Sequence, residues 1–132
     1  MKIIEAIESA NELRPGNRIS DDMKRQWLRS LDLKIYNEIY ATHTPNDATS
    51  PDGYEEIYDT ELLAPDIDAE LYVWYIVSQI DAATGESDRY NMSVERFNLL
   101  YKEFSARYNR EHTPINTYRV HNLMAVGGIS GS

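Results

Sequence analysis

The chain alternates segments that carry an apolar stripe with segments that carry none. Ile3, Ile4, Ile7, Ala10 and Leu13 recur at helical spacing with acids between them, which predicts a helix over 2–13. Arg14-Pro15-Gly16-Asn17 closes it as a turn. Ser20 ahead of Asp21 and Asp22 is an N-cap with two acids in the first turn. The helix it opens is predicted to run to about Tyr40. Its stripe is Met23, Trp27, Leu28, Leu31, Ile35 and Ile39, with Lys24, Arg25, Arg29 and Lys34 mostly on other sides. Farther on, Tyr90, Val94, Phe97, Tyr101, Phe104 and Tyr108 recur in steps of four and three, widened by Leu100. That seam predicts a helix from Ser87 to about His112, stopped by Thr113-Pro114.

Between these lies DIDAELYVWYIVSQID, residues 66–81, in which every position from Leu71 to Val77 is apolar or aromatic. Such a run suits a buried strand or a helix apolar most of the way round. Pro65 ahead of an acidic first turn (Asp66, Asp68, Glu70), and the extension through Gln79, Ala82 and Ala83 to Thr84-Gly85, select the helix. One face of a four-helix domain is too small to cover Tyr72, Val73, Trp74 and Ile76 together. Cover from a neighbouring subunit is therefore expected, with Tyr72 and Trp74 as interface residues.

Residues 42–58 switch to Thr, Pro, Asn, Asp, Ser and Gly, a long functional or mobile loop. Around Ile57, Tyr58, Leu62 and Leu63 the sequence allows a short extended β segment. After Pro114, residues 115–132 alternate weakly at Tyr118, Val120 and Asn122 and then run into glycines and serines, which predicts an extended arm. The fold class expected is mainly all-α: one helical domain over 1–114, a small bundle of about four helices, and an arm over 115–132.

Charge changes the picture more than composition does. The net charge is −9, yet no Lys or Arg occurs between Lys34 and Arg89, an interval with thirteen acids. The rest of the chain carries about +4. An acidic middle lacks the Lys and Arg that give affinity for phosphate, so nucleic acid is not bound by default. The acids suit a surface that repels DNA or meets a basic partner. No cysteine is present, which removes disulfides and thiolate metal sites. The start of the chain does not read as a signal peptide, and Leu71–Ile80 is far short of the ~20 apolar residues that span a bilayer. The expectation is a soluble protein made in the cytoplasm, without membrane contact.

Candidate chemistry is sparse. His43, His112 and His121 lack ligand spacing, and exposed polar residues are the expected reading for all three. Asp66-x-Asp68-x-Glu70 resembles the opening of a calcium loop, but the sixth and twelfth positions hold Leu71 and Val77 where Gly and Glu are required. No phosphate-cradling glycine motif and no nucleophile elbow occur. No enzyme activity, metal or cofactor is expected. The ten tyrosines suit subunit interfaces, where an apolar ring with a polar tip is favoured.

Three segments, WLRSLDLKIYNEI (27–39), ELLAPDIDAELYVWYIVSQID (61–81) and RYNMSVERFNLLYKEFSARYNREHTP (89–114), together resemble the small head–tail connector proteins of long-tailed bacteriophages and prophages. The likeness spans roughly residues 15–115 and lies in the order of elements and in short phrases, not in a catalytic signature. It implies a non-enzymatic helical subunit at the head–tail junction of a virion. About a dozen copies would form a ring on the portal protein, meet a downstream connector or tail component, and let DNA pass without specific binding. In such a ring, Tyr72, Trp74, Tyr118 and Val120 would contribute to the subunit interface. Asp47, Asp52, Glu55 and Glu56 would line the channel or a docking loop. The competing reading is an acidic interaction or inhibitor module that caps a basic partner.

Overall fold

The computed structural model describes residues 1–44 and 58–114. Four α-helices account for most of them: α1 (Ile3–Leu13), α2 (Asp21–Ile35), α3 (Glu70–Ala83) and α4 (Ser87–Glu111). The all-α expectation and the four helices hold. Asp47, Asp52, Glu55, Glu56, Tyr118, Val120 and His121 lie outside the described residues, as does the arm.

Local chemistry sets the helix ends. Ser20 Oγ accepts from Met23 N at 3.1 Å at the start of α2. Glu5 Oε1 accepts from Lys2 N at 2.8 Å at the start of α1. A 3-10 turn, Asp66–Asp68, leads into α3 behind Pro65. Gly85, at φ +74°, ends α3 in the left-handed conformation that only glycine adopts without strain. Beyond Ile35 the second helix widens into a π-helical turn, Tyr36–Tyr40, with Ala41 N donating to Tyr36 O at 2.8 Å. The wider turn lets the adjacent residues Ile39 and Tyr40 both reach the core.

In the bundle, α3 is the centre. It packs chiefly against α4, then along α1 and α2. Contacts at both ends fix the directions. Asp68 meets Arg107 and Asp81 meets Ser93, so α3 and α4 run antiparallel. Arg14 meets Asp81, and Leu62 N donates to Met1 O, so α1 runs parallel to α3. Of the predicted extended segment, Ile57 lies outside the described residues, and among the described ones Glu61 makes an antiparallel bridge with Lys2. A second pairing, β1 (His43–Thr44) with β2 (Thr113–Pro114), joins the end of the second helix to the end of α4.

The core corrects the expectation for α3. Leu71, Tyr72, Val73, Ile76, Val77 and Ile80 are all buried within the single chain. The reason is geometric: α1, α2, α4 and the segment Leu62–Ala64 approach α3 from different sides, so three faces are covered and not one. Tyr72, expected at a subunit interface, is 0% exposed within the single chain and packs in its core. Trp74 and Tyr75 alone in the run stay half-buried.

Candidate interaction surface

Three carboxylates and one lysine that the stripe pattern leaves on polar faces are buried, and each ties two or more elements together. Asp32 of α2 is 1% exposed; its two oxygens accept from Tyr72 Oη at 2.5 Å and Leu63 N at 3.1 Å. Tyr72 Oη in turn accepts from Ala64 N at 2.8 Å. Burial pushes the Asp32 carboxyl up to about 6, partly offset by those two donors. Burial, and then the Asp32 charge, raise the Tyr72 phenol well above its ordinary value.

Asp81, at the end of α3, receives Arg14 Nε at 2.7 Å and Arg14 Nη2 at 3.0 Å in a two-pronged ion pair, with Ser93 Oγ at 2.9 Å from α4. Those bonds raise the Arg14 guanidinium further. Asp68 pairs with Arg107 at the opposite end. Lys24, 2% exposed, donates to Asn11 Oδ1 at 2.6 Å and Ile19 O at 2.9 Å, so it pins α1 to the turn before α2 instead of facing water.

His43 likewise departs from the exposed reading. It is buried, with its Nδ1 2.7 Å from Ile39 O and its Nε2 2.8 Å from Asn109 Oδ1. Its ring meets Tyr108 edge-on at 5.2 Å, while His112 stacks flat on the other side of the Tyr108 cluster at 3.7 Å. These rings fasten β1 and β2 to the ends of the two longest helical elements. They form a packing cluster. Among the described residues, no group of three metal-binding side chains gathers.

Among the described residues, a groove lies open between α3 and the first half of α4. Its volume is about 810 Å³, and Trp74, Met92, Leu99, Arg14, Arg89 and Arg96 line it together with Ser93 and Glu95. Met92 is 73% and Leu99 48% exposed, an unusual cost in water for two side chains on one face. Trp74 Nε1 donates to Glu70 Oε2 at 3.4 Å, within α3. Arg96 Nη2 is 3.6 Å from Glu70 Oε1 across the rim. The groove can hold an apolar side chain or two with acidic neighbours.

Of the two expected interface residues within the described range, Tyr72 and Trp74, it is Trp74 that lies here. Tyr72, two positions earlier, points into the core. Met92, Arg96 and Leu99 were legible as a second stripe on α4, at i, i+4 and i+7, offset from the main seam. No helix of the described residues is long and apolar enough to cross a membrane. No protein-family model matches the chain, and comparison with curated proteins and with solved structures likewise finds no match.

Proposed function

We propose that the chain is a structural subunit of a bacteriophage head–tail connector. Copies assemble as a ring of about a dozen on the portal vertex, extend the DNA channel and join head to tail. The subunit is made in the host cytoplasm and resides at the head–tail junction of the virion.

The observation that carries this reading is the groove between α3 and α4. The fold completes its own core around α3, yet leaves Trp74, Met92 and Leu99 on one arginine-rimmed face. A closed core with an open apolar face is what a subunit built for repeated association needs. The all-α fold is compatible with it, and the three segments on which the resemblance rests overlap α2, α3 and α4 in turn. The competing acidic-module reading draws on the acids of 35–88, but Asp68 and Asp81 are bonded inside the fold and do not face a partner.

The test is negative-stain imaging with light scattering over a range of concentrations, with and without a portal ring. Closed rings, alone or on the portal, are the expected result. A protein that stays monomeric with portal present, and instead forms a 1:1 complex with a basic protein, overturns the connector reading.

A further inference from the structure

We infer that the α3–α4 groove of one copy receives the acidic segment 45–57 of the next copy. This rests on the reading that copies of the chain associate, and specifies which surfaces meet. Three observations lead there.

The first is chemistry. The groove offers an apolar floor, Trp74, Met92 and Leu99, between Arg89 and Arg96, against one lining acid, Glu95. Arg14, in its wall, is already bonded to Asp81, and Arg96 shares the rim with Glu70 at 3.6 Å in a half-exposed pair that a second carboxylate can join. Residues 45–57, PNDATSPDGYEEI, carry Asp47, Asp52, Glu55 and Glu56 and no basic residue, with Tyr54 and Ile57 as apolar anchors on either side of the acid pair. An aromatic and an aliphatic residue flanking two carboxylates match an apolar floor flanked by two guanidinium groups. The other candidate in the chain, residues 115–132, carries Arg119 and no Asp or Glu side chain, and has no such match.

The second is reach. The segment is held at both ends away from the groove: Thr44 pairs with Thr113 beyond the end of α4, and Tyr58 O accepts from Ile4 N at the start of α1. The fourteen chain steps from Thr44 to Tyr58 let the distances to the two anchors sum to at most about 50 Å. From Thr113 back along α4 to Met92 is ~31 Å, and to Arg89 ~36 Å, at the rise of a helix. From the other anchor, Ile4 to Arg14 in the groove wall is ~15 Å and Arg89 lies a further turn of α4 beyond, ~21 Å, so a chain cannot lay this segment over its own Arg89. A second copy can.

The third is symmetry. A groove in one copy filled by a different surface of the next is a heterologous contact, which propagates, closing into a ring where the rotation between copies closes and running on as a filament where it does not.

The absence of native cysteine makes the test direct. A Glu55→Cys protein is mixed under mild oxidation with a mass-tagged Met92→Cys protein, and the mixed disulfide is counted by mass. Ser30→Cys, on the exposed face of α2, replaces Met92→Cys as the control. The expected yield is at least fivefold above control, and Arg89→Glu with Arg96→Glu returns it to control. A yield no higher than control overturns the inference. If rings still form in that case, the connector reading survives and only this contact falls. A double variant, Glu55→Cys with Met92→Cys, that closes within one chain at high dilution also overturns it. Mixed disulfides in dimers or open chains without rings support the contact and count against the ring.

Discussion

Asp32 shows what single residues contribute to this fold. Its carboxylate holds α2 against Tyr72 of α3 and the backbone of Leu63, at the cost of removing a charge from water. Because its folded value is raised to about 6, the folded chain holds the Asp32 proton more tightly than the unfolded chain does. The stability from that proton is present below pH ~4 and is lost as pH rises through about 6. Relative to Asp32→Asn, the native protein should therefore lose ~2–3 kcal/mol of unfolding free energy between pH 4 and pH 7. Urea titrations of both proteins across that range check this; a difference that does not change with pH refutes it. Tyr72→Phe removes both the donor to Asp32 and the acceptor for Ala64 N. It should cost ~1–3 kcal/mol without changing the helix content seen by circular dichroism.

At the scale of elements, the ends of α3 carry the cross-links. Arg14 reaches Asp81 from the turn after α1, and Ser93 reaches it from α4, so one carboxylate joins three helices. Arg14→Ala leaves Asp81, 1% exposed, without its cation and should cost ~3 kcal/mol. Arg14→Lys should recover only part, since an ammonium cannot make the two-pronged contact. Equal loss from both variants would mean that the fork geometry is immaterial. Gly85→Ala isolates a different effect: nothing lies within 4 Å of the added Cβ, so the cost comes from the φ of +74° alone, ~1 kcal/mol. Thermal unfolding of that variant at unchanged midpoint would show that the turn relaxes freely.

For the whole molecule, the predictions concern association. Removal of residues 115–132 should spare the melting of the four-helix domain and weaken assembly. A truncated protein that no longer folds would make the arm part of the core. Glu55→Arg with Glu56→Arg should leave circular dichroism and thermal unfolding unchanged and reduce self-association at least tenfold. Unaltered assembly and phage production would remove the acidic segment from the mechanism.

Sequence periodicity determined the four helices and their order, because each stripe and each cap acts within a few residues of itself. Ser20, Pro65 and Gly85 set ends that need no tertiary partner, and the seam from Phe97 to Tyr108 reads directly as the buried face of α4. Trp74 stands out with Tyr72 for the same local reason, its place in a wholly apolar run, and it stays half-buried beside Tyr75. Only the tertiary structure decided which polar residues are inside. Lys24, Asp32 and Asp81 lie on helix faces that look polar and His43 in an apparent loop, and their burial depends on partners thirteen to sixty-seven positions away. The same distance explains Tyr72: whether a ring on α3 faces a neighbour or the core is settled by where α1, α2 and the segment 62–64 arrive, and no pattern local to α3 contains that information.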